Sequence, residues 1–494
     1  MNQPLVIYWV RRDLRLADNP ALTAALQASR SQQIPFLPLF VLEDYMINAL
    51  PEFQFGYPSR YFLSQALPKY AAEFPEFALV AGKAAQYLIT LSHKYDLQVF
   101  VNDDIYSDFY KQVEKLKCTG VQIKIFDDAL SVPKNTQTQE GRLYSVFTPF
   151  KKAVWANFLE PTLLPKPDLT NLLSATHIRQ TLPATVTCDA KTIWSLFSKA
   201  RRIKVGQGII DLDQYTKAPV LDSWYTTEKE ALVRFQTYLS AGDLAAYQDN
   251  RDSLELDAES GKTSKMSLAL AWGLVSSRQL VALIKRHFKD TFANPFSTQA
   301  SQGALTYLSE LIWREFYRYQ LFHHPELMNT EFQERFRGNI EWIETRLAVD
   351  RFIAWIKGET GYPVVDAAMK QIAATGWMHN RARMIVASVL TKNLGVDWRW
   401  GQEYFRAVLL DLDEASNNGG WQWGASVGAD PKPIRIFNPE LQAKNYDQSG
   451  AYRAKWLDTG SVFRAKTVPI VEHQVARTEA LRRYSLSKVV PRDY

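Results

Sequence analysis

The residues best suited to chemistry lie on one stretch of predicted helix. Glu310, Trp313 and Tyr317 follow the spacing i, i+3 and i+7, so their side chains share one helix face. Such a face more often packs into a core. However, a carboxyl group between aromatic rings also suits a pocket in which a flat base stacks and one carbonyl of that base is hydrogen-bonded.

A second triplet repeats this pattern later in the chain. Trp377, Asn380 and Met384 again follow i, i+3 and i+7, which predicts that they share a face of a second helix. Core packing is the alternative for either triplet alone. Two triplets that each place a polar group among aromatic or thioether side chains favour a shared pocket.

Two short motifs are poor guides to function. The letters GKTS at 261–264 resemble the end of a P-loop, but Leu256 stands where that motif requires its first glycine. Small hydroxyl residues beside a lysine can still hold phosphates on backbone N–H groups. The letters GASVG at 424–428 match a hydrolase nucleophile elbow, but that elbow requires a strand before it, and this region reads as helical.

Composition limits the class of protein. The chain has 494 residues, of which 46% are hydrophobic and 22% charged, so it can bury a large core and is not disordered. Two cysteines exclude a four-cysteine zinc site, an iron–sulfur cluster held by this chain alone and a disulfide framework. No apolar run approaches the roughly 20 residues of a membrane span, and no secretion signal is visible. We therefore expect a soluble, cytoplasmic, metal-free protein.

Charge is unevenly placed along the chain. Residues 1–130 hold 12 basic and 14 acidic side chains, whereas residues 131–494 hold 46 and 38, a net charge of +8. An anionic partner should therefore meet the second part. An ordinary, slightly basic protein is the alternative.

The predicted elements divide the chain into three regions. Short apolar runs at 4–9, 35–41, 77–81, 97–101 and 122–126 alternate with helical patterns, which predicts a doubly wound parallel sheet over residues 1–130. The first strand is not followed by the glycine fingerprint of dinucleotide-binding domains. Residues 131–204 are rich in proline, serine and threonine and read as a long linker. Helical periodicity dominates residues 205–485, so we expect an α/β domain followed by an all-α domain.

Several motifs together resemble the photolyase/cryptochrome flavoproteins, and most closely the class I cyclobutane pyrimidine dimer photolyases. The resemblance covers nearly the whole chain. It rests on WVRRDLR at 9–15, ELIWREFY at 310–317, TGYPVVDAAM at 360–369, GWMHNRARM at 376–384, DLD at 411–413, NNGGWQW at 417–423 and RIFNP at 435–439.

The resemblance implies that FAD binds in a folded conformation within the helical domain. The positions that match its phosphate-binding segments are Tyr247, Thr263, Ser264, Lys265, Met266 and Ser267. Arg383 and Asp411 match a pair that flanks the isoalloxazine, and Asp413 lies beside it. Asn417 matches the residue that faces flavin N5, where an asparagine favours the reduced, anionic flavin.

The resemblance also implies a DNA lesion as substrate. Glu310, Trp313, Asn380 and Met384 match the cavity that receives a flipped-out thymine dimer. The (6-4) branch of the family carries histidines near Asn380 and Met384, which this chain lacks, so a cyclobutane dimer is favoured. The further positions that match lesion or phosphate contacts are Arg251, Arg314, Tyr317, Arg381, Trp423, Arg435 and Gln442.

Tryptophans form a further part of the resemblance. Seven of the 14 tryptophans lie between residues 342 and 423. Trp421, Trp398 and Trp342 match the chain that carries an electron to the flavin from the surface. Trp400 and Trp423 are additional rings in this region. We do not assign them to the electron-transfer chain, because core packing is the simpler interpretation.

The implied activity is light-driven repair of cyclobutane pyrimidine dimers by a monomeric deoxyribodipyrimidine photo-lyase. Reduced FAD donates an electron to the dimer, and the catalytic positions are Glu310, Asn380, Met384 and Asn417. A cryptochrome-type photoreceptor without repair activity is the alternative, because the same fold serves both. The short tail after the arginine-rich segment near 477–483 favours repair. The family often carries a second, antenna chromophore in or beside the α/β domain, either methenyltetrahydrofolate or 8-hydroxy-5-deazaflavin, and the matching loop here is Asn102–Tyr106. The resemblance decides neither whether this chain carries an antenna nor which of the two types it would be.

Overall fold

The computed structural model describes residues 2–48, 55–105, 107–221, 224–256, 262–293, 301–429, 434–457 and 468–486. The N-terminal region is a five-stranded parallel sheet with strand order β3-β2-β1-β4-β5. Its strands are β1 (Gln3–Val10), β2 (Phe36–Leu42), β3 (Ala78–Ala81), β4 (Tyr95–Asn102) and β5 (Gln122–Phe126). The predicted strands and the parallel sheet are confirmed.

The sheet is parallel because a helix separates each strand from the next and covers a face of the sheet. In register, Val6 of β1 pairs with Phe36 of β2, and Ile7 pairs with Val99 of β4. Every residue of β2 is buried, as a strand covered on both faces requires. The helices of this region are α1 (Pro20–Gln32), α2 (Asp44–Ile47), α3 (Tyr57–Ala71), α4 (Ala84–Ser92) and α5 (Ser107–Cys118).

The predicted linker contains regular structure. Its helices are α6 (Phe147–Phe158), α7 (Thr176–Thr181) and α8 (Ala190–Leu196). Phe150, Val154 and Phe158 of α6 are buried, so this helix is docked on the core. A hairpin of β6 (Arg202–Val205) and β7 (Gly208–Asp211) spans the predicted boundary after residue 204.

Helices make up most of the chain beyond the hairpin, as predicted. They are α9 (Glu228–Ser240), α10 (Tyr247–Asn250), α11 (Ser267–Ala271), α12 (Ser277–His287), α13 (Lys289–Ala293), α14 (Gln302–His323), α15 (Arg346–Lys357), α16 (Pro363–Thr375), α17 (Asn380–Ser388), α18 (Trp398–Val408), α19 (Glu414–Ala425), α20 (Pro439–Tyr446), α21 (Ala451–Leu457) and α22 (His473–Leu486). A π-helical turn, Val389–Asn393, follows α17, and short 3-10 turns lie at Leu212–Gln214, Pro325–Met328 and Glu334–Phe336.

Buried ion pairs join the sheet region to the helical region. Arg278 of α12 contacts Asp18 at 2.8 Å and Asp128 at 2.7 Å, and Arg15 contacts Asp128 at 2.6 Å. Burial alone would raise the pKa of Asp128, but Arg15 and Arg278 lower it. These pairs fix the position of the loop after β1 relative to the helices.

Among the described ranges, no helix is both long and apolar enough to cross a membrane. The same residues contain no group of three or more His, Cys, Asp or Glu side chains arranged to hold a metal ion.

Candidate functional site

A cavity of about 370 Å³ opens within the helical region. Its walls come from α14, α17, α18, α19 and the loop that precedes α19. The predicted site residues that line it are Arg251, Glu310, Trp313, Arg314, Tyr317, Asn380, Arg383, Met384, Asp411, Asp413, Asn417, Trp421 and Trp423. The lining residues that the sequence did not single out are Ala387, Phe405, Leu409, Ser416 and Gly420. We call this the helical cavity.

The first wall of the helical cavity is one face of α14. Glu310, Trp313 and Tyr317 lie on it in the order that their spacing requires. Glu310 forms an ion pair with Arg251, which also lines the cavity. Tyr317 packs so closely on α19 that a Cβ at Gly419 would lie 2.1 Å from its ring, so only glycine fits there.

The second wall differs from the prediction at one residue. Asn380 and Met384 lie on α17 and line the cavity, but Trp377 precedes that helix. Helix α16 ends at Gly376, whose left-handed φ of 68° breaks the chain direction. Trp377 is therefore buried elsewhere, against Trp224 with ring centroids 6.4 Å apart. The prediction of a shared face for Trp377, Asn380 and Met384 is wrong.

Two buried carboxylates in the cavity are each paired with arginine. Arg383 donates to both oxygens of Asp411, at 3.0 and 2.8 Å. Asp413 lies 3.2 Å from Arg318 and 3.5 Å from Arg314, and it caps α19 by accepting from the Ser416 backbone N–H. Burial alone would raise the pKa of Asp413, but Arg318 and Arg314 hold it well below its ordinary range. The base of the cavity therefore carries fixed charges.

Asn417 offers an unused acceptor to the cavity. Its side-chain amide nitrogen donates to the Gln402 carbonyl at 3.2 Å, whereas its buried Oδ1 has no partner among the described residues. An unsatisfied buried acceptor costs about 1–3 kcal/mol, so such an atom fits a ligand that donates to it. One turn further on α19, a Cβ at Gly420 would meet nothing within 4 Å. Open space and an unpaired acceptor on one helix fit a flat cofactor with an N–H group.

The predicted phosphate-binding segment lies beside the cavity. Ser264 and Met266 are buried, Thr263 and Lys265 are partly buried, and Ser267 is exposed at the start of α11. Gly261, part of the P-loop-like letters, lies outside the described residues.

Three residues that the sequence did not indicate support this segment. Tyr225 OH donates to the Lys265 carbonyl at 2.5 Å, Arg234 donates to the Ser264 carbonyl at 3.0 Å, and the hydroxyls of Tyr307 and Ser264 lie 2.9 Å apart. Of these three residues, only Tyr307 could have been found from the sequence, because it precedes Glu310 by one turn on α14.

Tyr247 connects the two parts of the site. It begins α10 and meets the ring of Tyr307 edge-on, with centroids 5.1 Å apart. The Arg251 guanidinium lies 5.4 Å from the Tyr247 ring and also pairs with Glu310. Burial, the largest cause, raises the pKa of Tyr247, so its hydroxyl stays protonated as a donor.

The remaining predicted DNA contacts, Arg381, Arg435 and Gln442, are not among the residues that line the helical cavity. Arg381 follows Asn380 and pairs with Asp252 at 2.5 Å. The Arg435 guanidinium lies 5.0 Å from the Trp423 ring. Gln442 lies on α20 and is partly buried.

The three tryptophans of the predicted electron-transfer chain differ in exposure. Trp421 lines the cavity and is 2% exposed, Trp398 is 0% exposed, and Trp342 is partly exposed. Gly401, one turn after Trp398 on α18, makes room for the Trp421 ring, since a Cβ there would lie 2.1 Å from it. Trp400 is partly buried against Phe352, with centroids 5.5 Å apart.

A second cavity, of about 470 Å³, lies between the sheet and the helices. It opens at the carboxyl ends of β1, β2 and β4, where parallel sheets bind ligands. Asp104 and Ile105 of the predicted antenna loop line it, whereas Tyr106 lies outside the described residues. Aromatic rings supply much of the rest, namely Trp9, Phe40, Tyr45, Phe55, Phe109 and Trp272. We call this the interdomain cavity.

Two family models match the chain. The DNA photolyase model matches residues 6–168, and the model of the FAD binding domain of DNA photolyase matches residues 307–485. The fold and the site thus define a flavoprotein of the photolyase and cryptochrome class. The chain belongs to the DNA photolyase family.

Relatives of nearly the same length support this membership. The deoxyribodipyrimidine photo-lyase of Vibrio cholerae is 32% identical, and the match covers 98% of this chain and 99% of that protein. The deoxyribodipyrimidine photo-lyase of Synechococcus is 34% identical over 92% of this chain and 87% of the relative. A class III photolyase of Agrobacterium tumefaciens has the same fold, with a TM-score of 0.78, 30% identity and coverage of 99% and 98%.

Proposed function

We propose that this protein is a light-driven lyase that splits cyclobutane pyrimidine dimers in DNA. One observation carries the proposal: a single cavity brings the lesion set, Glu310, Trp313, Asn380 and Met384, against the flavin set, Arg383, Asp411 and Asn417. Electron transfer between cofactor and lesion requires such proximity. The relatives named deoxyribodipyrimidine photo-lyase, at 30–34% identity, support the same activity.

The flavin half of the cavity holds charge in place. FAD, when bound in its reduced anionic form and excited by light, supplies an electron to the dimer and receives it back. Asn417 would accept a hydrogen bond at flavin N5 through its free Oδ1. Arg383, fixed on Asp411, would face the ring system as a cation. The stretch Thr263–Ser267 and Tyr247 would hold the phosphates.

The half of the helical cavity that we assign to the lesion suits two flat, linked bases. Trp313 and Trp423 offer rings for stacking, which is how proteins hold extruded bases. Glu310, held in place by its ion pair with Arg251, would hydrogen-bond the polar edge of one thymine. Asn380 can donate a hydrogen bond to a thymine carbonyl. Arg251, Arg381, Arg435 and Gln442 would contact the flanking strand.

The tryptophan chain would restore the active flavin. Trp421 lines the cavity, Trp398 is buried and Trp342 is partly exposed, which suits a path from the cavity to the surface. We propose that, when the flavin has become oxidised, an electron from a reductant in solution, such as a thiol, would reach it through these rings. The three tryptophans take no part in the splitting of the dimer.

We further propose that the interdomain cavity holds an antenna chromophore. Its aromatic lining and its place at the strand ends suit a flat ring system, and Arg11 and Lys111 offer cationic partners. Methenyltetrahydrofolate and 8-hydroxy-5-deazaflavin both meet this description. Their different absorption maxima make the spectrum of the purified protein the test, and FAD absorption alone would contradict the proposal.

Repair under blue light tests the proposed function. The reduced protein is mixed with ultraviolet-treated oligo(dT), and the absorbance near the thymine maximum is followed in light and in the dark. We expect recovery only in light. A protein that carries reducible FAD but shows no recovery would contradict repair and favour the photoreceptor alternative. The Glu310→Gln variant should keep its FAD and bind dimers about 3- to 10-fold more weakly, the value of one hydrogen bond.

A further inference from the structure

The indole of Trp313 is covered on one face by a ring from the connecting segment. Phe147, the first residue of α6, stacks on it with ring centroids 3.5 Å apart and ring planes 8° from parallel. Phe316, one turn after Trp313, meets Phe147 at 5.9 Å and Trp313 at 5.8 Å, each edge-on. A residue far earlier in the chain therefore defines the plane of the Trp313 ring.

The ring of Phe147 lies outside the lining of the helical cavity. Trp313 lines that cavity, whereas Phe147 is not among the described residues that do. Tyr317, which also lines the cavity, lies at 5.6 Å from Trp313 in a tilted arrangement and does not stack on it. Phe147 thus occupies one indole face, while Trp313 still contributes to the lining of the helical cavity.

The position of Phe147 is set by the docking of α6. Phe150 is 0% exposed and Val154 is 2% exposed, so the helix is anchored on its buried side. Lys151 donates to the Ser309 hydroxyl at 2.5 Å, next to Glu310 on α14. Phe147 itself is only partly buried, so packing around its own ring is not what fixes α6.

We propose that Phe147 is a positioning residue for lesion binding, which holds the Trp313 indole in the plane on which the dimer stacks. A tryptophan side chain that is already ordered loses less rotational freedom when a base stacks on it, so binding is tighter. Phe147 touches neither the lesion nor the flavin. The inference rests on the proposed function, since it assigns a role to a residue behind the lesion pocket.

The test compares variants of the full chain with FAD bound. Dissociation constants are measured in the dark for an oligonucleotide with one thymine dimer and for the same sequence undamaged. For Phe147→Leu we expect about 3- to 10-fold weaker binding of the dimer, the value of an aromatic pair. This variant should not change the binding of undamaged DNA, the flavin spectrum or the repair yield per bound dimer. The conservative variant Phe147→Tyr keeps an aromatic ring and should bind the dimer with the wild-type affinity.

Trp155→Leu is the matched control. Trp155 lies on the same helix and contacts Lys151, with the ammonium 4.9 Å from its ring, rather than Trp313. This variant should bind the dimer like the wild type. An equal loss in both variants, or an equal loss for damaged and undamaged DNA, would assign Phe147 to the stability of α6 and overturn the proposal.

Two further results would also overturn it. Tighter dimer binding by Phe147→Leu would show that Phe147 competes with the lesion for the indole, and unchanged binding would show that the stack is irrelevant. A wild-type protein that does not prefer the dimer over undamaged DNA would instead contradict the proposed function, and the role of Phe147 with it.

Discussion

Each of the two cavities is lined by a carboxyl group whose pKa is shifted, and the two shifts have opposite directions. In the helical cavity, Arg318 and Arg314 depress the pKa of Asp413 against the effect of burial. In the interdomain cavity, burial raises the pKa of Glu43, although Arg11 lies 3.7 Å away. Fixed charge beside a cofactor is useful where electrons move, whereas a chromophore that only absorbs light needs packing and orientation. The contrast fits the proposed roles, which are electron transfer in the helical cavity and light collection in the interdomain cavity.

The largest expected effect is the loss of fixed charge in the helical cavity. Asp413→Asn removes the buried carboxylate that pairs with Arg318 and Arg314, which should cost about 3–5 kcal/mol in the free energy of unfolding at pH 7. Because the folded pKa of Asp413 is depressed, its contribution is complete above the unfolded value of about 3.9 and is lost as the pH falls below it. The difference between variant and wild type should therefore shrink in acid, as measured by denaturant unfolding.

Glu43→Gln is the matched variant in the interdomain cavity. The raised pKa of Glu43 means that its ionisation opposes folding, so wild-type stability falls as the pH rises through the pKa. The glutamine should remove this dependence and cost less than Asp413→Asn at pH 7. If both variants lose stability equally and with the same dependence on pH, the contrast between the cavities is wrong.

The next effect follows from the open space at Gly420. A leucine there projects into the helical cavity, where the flavin would lie, and overpacking of this kind should weaken FAD binding by about 100-fold. The same change should raise helix stability by about 1 kcal/mol, because glycine is a poor helix former. The ratio of flavin to protein absorbance and thermal unfolding of the apoprotein measure the two effects. Full retention of FAD would place the cofactor elsewhere.

Trp313→Ala should separate the lesion half of the helical cavity from the flavin half. Loss of base stacking should weaken dimer binding by about 5- to 100-fold while the flavin content stays the same. Gel-shift titration with damaged and undamaged oligonucleotides measures the effect. Equal weakening for both DNAs would mean that Trp313 contributes to general DNA affinity and not to the lesion pocket.

The smallest effect is expected in the interdomain cavity. Tyr45 lines it and packs on Phe55 with ring centroids 5.6 Å apart. Tyr45→Ala should weaken antenna binding by about 2- to 10-fold, the value of one aromatic contact. The repair rate should fall in dim blue light and stay unchanged in saturating light. A lower rate in saturating light as well would mean that this cavity contributes to the chemistry.

Local patterns predicted the sheet and the first wall of the site. The central strands β1 and β2 contain continuous apolar runs between helical patterns, which predicts a parallel sheet covered on both faces. Glu310, Trp313 and Tyr317 share a face because one uninterrupted helix carries them. The prediction for Trp377 was wrong because Gly376 ends one helix and the next begins at Asn380. Spacing alone does not reveal such a break.

Contacts between distant segments could not be predicted from the sequence. Phe147 stacks on Trp313, and Arg234 supports Ser264, although no periodic pattern links either pair. The interdomain cavity draws on strand ends and on α14, so its aromatic lining is scattered through the chain. The proline-rich residues 131–204 were predicted to be a linker. They nevertheless contain α6, whose buried side chains Phe150 and Val154 anchor it on the core.

The most direct test of the account is a count of thymine dimers before and after blue light. The reduced protein with FAD is incubated with an oligonucleotide that contains one dimer, and the products are separated by chromatography. The account predicts that each dimer lost yields two intact thymines, in light only, and that Trp313→Ala slows the loss when the DNA is limiting. Dimers that persist in light, in the presence of the protein with bound and reduced FAD, would contradict it.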